Sequence, residues 1–386
     1  MKIINIAACA PYNEGWSYQE NLLPKYQQKL GNEVILITTT KMHSPNGLIN
    51  VDENDSITID GFRVIRKKIQ RSRIPILNKI ATKINVYDIL LKEEPDLIFY
   101  HGLVDTTIFQ VKKYVKHKNG NCVVVQDNHL DSNIGFKKKS IVSFLFKVFY
   151  RVVYILNANI ISKVYGVTPW RAEYAHTFFG VPHKKIDVLL MGADDDSINF
   201  DDKKKIRNEL RQKYGLNEKD FVIITGGKLD QNKKVIELME AVNAIKGKVH
   251  LIIFGEILAD IREKFNELLN EHVNYIGWID AHNTYDYFFM SDLIVFPGQH
   301  SVLWEQACAS KVPCLFKYWP GMDHINNGGN SDFIYNQGSE AIKNKIIDLL
   351  FTKKYFEMKK VAESSNTDIY LYSQIAKKSI ECATKN

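Results

Sequence analysis

The chain has 386 residues, 45% hydrophobic and 25% charged, which excludes one ordinary domain and suits two soluble domains of about 150–200 residues each. Its net charge of +7, with a pI near 8.8, fits anionic partners such as nucleotide phosphates or lipid head groups. Nucleic acid is set aside because no known binding motif accompanies the charge, and the five cysteines, odd in number and without a C-x-x-C pair, argue against a disulfide framework or zinc site and for reduced, buried thiols in a cytosol.

In chain order, residues 2–8 read as a buried strand rather than a signal peptide: the stretch is short, interrupted by Asn5 and followed at once by a glycine-bearing loop. Residues 18–30 read as a helix and 33–39 as a second strand, with further strands expected at 62–65, 97–100, 122–126 and 159–167. Near-continuous aliphatic strands alternating with helical patterns imply a parallel sheet covered on both faces, a Rossmann-like layout. Residues 136–161 start from Lys137, Lys138 and Lys139 and carry Ile141, Phe144, Leu145, Val148, Val152, Ile155 and Leu156 at helical spacing, with Ser140, Ser143, Lys147, Arg151 and Tyr154 opposite. This basic amphipathic stretch, and 136–156 in particular, is either core or a peripheral contact with an anionic membrane that brings a lipid-linked acceptor within reach. No run of 18 apolar residues exists to span a bilayer.

Residues 194–205 are acidic and then lysine-rich, which suits a hinge, and Asp194, Asp195 and Asp196 read as solvated hinge acids rather than metal ligands. The pattern then restarts, with strands expected at 221–225, 250–254, 273–277, 293–296 and 313–316 and helices at 235–244 and 304–309. Ile369, Tyr372, Ile375, Ala376 and Ile380 give 368–383 helical spacing, a last helix able to cross back to the first domain. The expected division is 1–193, 194–367 and 368–386, two Rossmann-like α/β domains with the default site in the cleft between them.

Three loops carry candidate chemistry. Gly15 lies between the first strand and its helix, where backbone N–H groups and the helix dipole meet an anion; the absence of G-x-G-x-x-G disfavours a dinucleotide cofactor. Gly226 and Gly227 close the first strand of the second half, and Lys228 and Lys233 follow at a spacing that suits a diphosphate leaving group. In the third loop, Gly298, Gln299 and His300 lead to Ser301, read as a helix N-cap that with Val302 offers free N–H groups to phosphate; Glu305, about one turn on, could accept from a pair of sugar hydroxyls. On the first half, His101 and the pair Asp127 and His129 follow apolar strands and suit hydroxyl binding and proton handling.

These loops, with Met191-Gly192-Ala193-Asp194, resemble the family 4 retaining glycosyltransferases of the GT-B fold over nearly the whole chain. Gly31-Asn32-Glu33-Val34 is similar to the family's "G-x-E-V", residues 181–186 through 194 to its interdomain passage, Gly227-Lys228-Leu229 with Lys233 to its "G-R-L…K" phosphate pair, and Gly277-Trp278 to its "x-G" turn. The resemblance implies a nucleotide region at Gly227, Gly255, Gly277 and Trp278, a ribose-holding Glu305, and a donor-sugar histidine at His129 in preference to His101. The family's first donor-loop glutamate has no counterpart, Pro297 standing in its place, so Gln299 or His300 is the candidate substitute. The implied function is transfer of a sugar from a nucleotide-diphosphate donor, UDP-sugar favoured, to a glycan or lipid-linked glycan acceptor in capsule or O-antigen synthesis, with retention and without a metal or cofactor, in the cytoplasm at the inner membrane face. A GT-B nucleotide-sugar epimerase and a non-enzymatic two-lobed sugar- or nucleotide-binding protein are the alternatives.

Overall fold

Runs of branched aliphatic residues set the strands. In β1 (Lys2–Ala7), Ile3, Ile4 and Ile6 are all fully buried, so both faces of the strand are covered. The computed structural model describes every residue except 45–46, 72–81, 132–140, 248, 351 and 385–386, and gives the backbone alone at 141–143. The lysine triad at 137–139 therefore lies outside the described residues. The chain divides into two compact units: Met1–Met191 with Tyr372–Asn386, and Gly192–Leu371.

The first unit continues with α1 (Gln19–Lys29), β2 (Glu33–Thr39), β3 (Lys41–Ser44), β4 (Gly47–Asn50), β5 (Asp55–Ile57), β6 (Arg63–Lys67), α2 (Tyr87–Glu93), β7 (Leu97–Tyr100), α3 (Ile108–His117), β8 (Val123–Asn128), α4 (Ile141–Asn157), β9 (Lys163–Gly166), α5 (Pro169–Tyr174) and β10 (Ile186–Val188). Among the described residues its main sheet has eight strands in the order β10-β9-β8-β7-β1-β2-β6-β5, parallel except for β5. The order reverses at β1, whose neighbours are β2 and β7. In such sheets the ligand crevice opens beyond the carboxyl ends of the strands at this reversal.

The second unit holds α6 (Lys203–Lys213), β11 (Phe221–Leu229), α7 (Val235–Asn243), β12 (Val249–Ile257), α8 (Arg262–Leu268), β13 (Val273–Tyr275), α9 (Thr284–Met290), β14 (Leu293–Phe296), α10 (Leu303–Ala309), β15 (Cys314–Lys317), β16 (Ser331–Ile334), α11 (Ser339–Leu349) and α12 (Lys353–Ala362). Its sheet is parallel, ordered β13-β12-β11-β14-β15-β16, and reverses at β11. The glycine–lysine stretch ends β11 and the donor-loop stretch follows β14, so both leave the sheet at its reversal. Both units have the Rossmann-like layout.

The last helix, α13 (Tyr372–Thr384), belongs to the first unit and packs on α1. Tyr372, Ile375 and Ala376 join Leu22, Leu23 and Tyr26 in one buried cluster, and each large side chain contributes roughly 2 kcal/mol by leaving water. The helix also carries a polar anchor: Gln27 Nε2 donates to Ser379 Oγ at 3.0 Å in the core.

Three details differ from the periodicity. On α4 the buried side is Tyr150, Val153, Tyr154 and Asn157, whereas Phe144, Leu145, Val148, Val152, Ile155 and Leu156 are exposed. Tyr154, placed opposite the apolar stripe by spacing, is core because Leu103, Phe178 and Val181 pack around that side. Asp194 is buried rather than solvated: it accepts from the Asp196 amide at 3.3 Å and the Ser197 hydroxyl at 3.0 Å, fixing a turn. Among the cysteines, all free, Cys122, Cys308 and Cys314 are buried while Cys9 is exposed. No described helix is long and apolar enough to cross a membrane.

Candidate active site

In the second unit, two glycines stand near the carboxyl end of β11 because neighbouring residues come too close for side chains. A Cβ on Gly226 would strike the Phe254 ring, and one on Gly255 would run into the Gly227 carbonyl. Gly227 and Gly255 each hold φ +109°, a backbone region that favours glycine. Gly298 likewise lies against the backbone of Asn232 and Lys233. The loop after β14 is thereby pressed onto the loop after β11.

Asp230 shapes the latter loop, accepting from the amides of Asn232 at 2.9 Å and Lys233 at 3.2 Å. The Lys233 ammonium donates to the carbonyls of Gln299 at 2.8 Å and His300 at 3.3 Å, tying the two loops together. Burial pushes its pKa down to about 8, only partly offset by Asp230. Lys228 stands apart, its side chain 68% exposed and 3.6 Å from Glu256.

The regular part of α10 starts at Leu303 with Val302 in the N-cap place, so the Ser301 side chain caps no amide. Glu305 is wholly buried inside that helix. Its carboxylate meets His300 Nε2 at 2.9 and 3.1 Å and His324 Nε2 at 3.1 Å. Burial would raise its pKa, but the charge and hydrogen bonds of His300 and His324 outweigh it and hold the group down to about 2. His324 was invisible to sequence reasoning, lying 19 residues from its partner in a separate turn.

Gly255 and Trp278 line a pocket of about 450 Å³ with Glu256, Arg262, Phe265 and Tyr275. Gly255 donates its amide to the Gly277 carbonyl at 2.8 Å and accepts from the Tyr275 hydroxyl at 2.6 Å, so the predicted positions Gly255 and Gly277 are bonded to each other beside the pocket. Trp278 is the pocket's most open ring, 72% exposed.

In the first unit, Gly15 sits at φ +77° in the exposed loop after β1. Asp127, at the end of β8, is fully buried and accepts from the Gly102 amide at 2.7 Å. It meets His101 Nδ1 at 3.0 Å and His129 Nε2 at 3.3 Å. Both histidines thus gather on one carboxylate. His101 is buried and turns its other nitrogen to Asn5 Oδ1 at 3.3 Å. His129 keeps 35% of its side chain exposed. An Asn128 turn sets its position, the side chain bonding the Leu130 amide and carbonyl and the Arg171 carbonyl. Burial would lower the His129 pKa, but the Asp127 charge raises it above the ordinary value, while the two imidazoles hold Asp127 well below the carboxylate range despite its burial.

Behind this cluster runs a buried polar chain: Asn5 Nδ2 donates to Gln27 Oε1 at 2.8 Å, and Gln27 continues to Ser379. Each of the two clusters brings three potential ligand atoms within 4.8 Å. In both, however, the carboxylate already bonds the imidazole nitrogens directly, the pattern of a hydrogen-bonded triad.

Residues 206–364 match the family model described as glycosyl transferases group 1. No curated protein shows significant sequence similarity to the chain. Among solved structures, a glycosyltransferase from Rickettsia africae is 16% identical with a TM-score of 0.67, over 100% of this chain and 98% of that one. The Anabaena protein HepE in complex with UDP is 16% identical with a TM-score of 0.68, over 100% of each chain. A protein assigned as a UDP-N-acetylglucosamine 2-epimerase from Listeria monocytogenes is 15% identical with a TM-score of 0.60, over 100% of this chain and 95% of that one. The fold is GT-B, and the matched domain supports a glycosyltransferase.

Proposed function

We propose that the protein is a family 4 glycosyltransferase that takes a sugar from a nucleoside-diphosphate donor, UDP-sugar favoured, and passes it to a glycan or lipid-linked glycan acceptor with retention. The observation that carries this reading is Lys233, a half-buried ammonium that joins the glycine–lysine loop to the donor loop inside the matched segment. The UDP complex of HepE, of the same fold, supports a UDP donor.

The donor diphosphate sits on Lys233 and the exposed Lys228, with the amides of Ser301 and Val302 as further donors. Their positive charge stabilises the departing nucleoside diphosphate, so the step needs no metal. The base enters the pocket beside Gly255 and Trp278. Gln299 and His300 face the ribose and sugar, and Glu305 acts through His300, whose ring it orients. As the diphosphate leaves, the sugar gains oxocarbenium character; the leaving phosphate takes the acceptor proton, and Asp127 with His129 supplies hydroxyl binding and a protonated imidazole on the acceptor side.

The acceptor belongs to surface polysaccharide synthesis, of the capsule or O-antigen kind, and the chain works in the cytoplasm at the inner membrane face. The exposed apolar row of α4, with Lys147 and Arg151 on the same helix, supports peripheral membrane contact. A nucleotide-sugar epimerase is the second reading, raised by the likeness to the Listeria protein.

A thermal-shift panel of UDP-, GDP-, dTDP- and CMP-sugars identifies the donor, and the stabilising compound is then incubated with and without glycan acceptors. The transferase reading expects product only with acceptor. Isomerised donor in its absence supports the epimerase, and no shift with any compound removes both.

A further inference from the structure

One cluster of ligating side chains shares no residue with either triad. Glu173 is next to last in α5, His176 lies in the widened turn Ala175–Phe179 that follows, and His183 opens the short turn His183–Lys185. One donor atom of each lies within 4.8 Å of the others. We propose that these three side chains form a surface site for a zinc-class divalent transition-metal ion.

Four observations support it. First, His176 Nδ1 lies 2.8 Å from the Val181 carbonyl. That bond needs the hydrogen on Nδ1, which leaves the Nε2 lone pair free for a metal, the orienting contact that metal-ligating histidines use. Second, the two imidazoles are neighbours, their ring centroids 3.8 Å apart and stacked 26° from parallel, so the exposed His183 ring has only to turn out of the stack to share an ion with His176. Third, the carboxylate of Glu173 makes no ion pair and the ring of His183 no hydrogen bond among the described residues, in contrast to both triads. Fourth, the backbone beneath is fixed. Ala175, Phe178, Phe179 and Val181 are buried in one cluster, and Gly180 turns the chain at φ +78°.

The wide turn itself is a local departure of the kind found at functional sites. Zinc–nitrogen bonds of about 2.0–2.1 Å place tetrahedral ligand atoms about 3.3 Å apart, which the exposed Glu173 and His183 side chains reach by rotation. Two imidazoles and one carboxylate favour zinc, nickel or copper over magnesium or calcium. Water fills the fourth position. The ion would pin the end of α5 to the segment entering β10.

The test uses the full chain stripped with chelator, zinc chloride by calorimetry and cobalt(II) chloride by visible absorption. We expect one zinc equivalent whose affinity falls at least about 10-fold in both H183A and E173Q, with a four-coordinate cobalt band lost in H183A. H129A, altered in the first-unit triad, should keep both signals. The proposal is overturned if the wild type takes up no zinc, or if H183A and E173Q bind as it does. A loss in H129A instead assigns the ion to that triad and equally overturns it.

Discussion

The His101–Asp127–His129 cluster and the His300–Glu305–His324 cluster share a plan, one buried carboxylate between two imidazoles, yet they differ in access. In the first, His129 is 35% exposed; in the second, His300 and His324 keep only 9% and 3% of their side chains exposed. The first also continues inward through Asn5, Gln27 and Ser379 to α13. An open imidazole raised by its carboxylate can exchange a proton with a substrate. A closed one holds a loop in shape. Exposure, not composition, is what separates the two clusters.

The largest effect that would sharpen this contrast is on turnover. Asp127→Asn and His129→Ala should each slow transfer on the order of 100-fold, as for a lost acid–base partner, measured as nucleoside diphosphate release with acceptor. In Asp127→Asn the His129 titration followed by NMR should move down from above the usual value of about 6.5, since the largest opposition to burial is gone and only the weaker pull of Glu20 remains. The sign agrees with stability: a raised histidine pKa stabilises fully below about 6.5 and loses that stabilisation as pH rises through the folded value.

Glu305→Gln should act on stability, costing about 3 kcal/mol by chemical denaturation, because two imidazoles lose a buried anion. The Glu305 pKa, held down to about 2, means its stabilisation is complete above the ordinary value near 4.5 and is lost between there and about 2. The wild type should therefore lose its advantage over the variant across that acid window. Equal acid profiles would break the comparison.

A smaller effect concerns Lys233. Its pKa near 8 predicts that UDP binds several-fold more weakly at pH 9 than at pH 7, as the ammonium loses its proton. The smallest is Ser379→Ala, expected to cost about 1 kcal/mol by leaving Gln27 Nε2 without its acceptor.

The parallel sheets were legible because β1, β7 and β11 are near-continuous apolar runs, the pattern of strands covered on both faces. The partly buried β3 and the exposed β4 and β5 carry no such signature, and neither did β16, where the aliphatic run is short. On α4 the spacing revealed two faces but not which one the protein covers, since Tyr154 is buried by residues from elsewhere in the chain. In the site, Lys233, Gly298 and Glu305 stood out by their place after a strand. His324 and the pairing of His101 with Asp127 depend on tertiary approach across 19 and 26 residues, for which sequence has no local signal.

The central claim is that a nucleoside diphosphate is held by the second unit through Lys233. The most direct measurement is calorimetric titration of UDP into the wild type and Lys233→Ala at pH 7. The account predicts one site in the wild type and binding at least about 10-fold weaker in the variant, the loss expected for a charged hydrogen bond. Absence of binding in the wild type, or equal affinity in both, would contradict it.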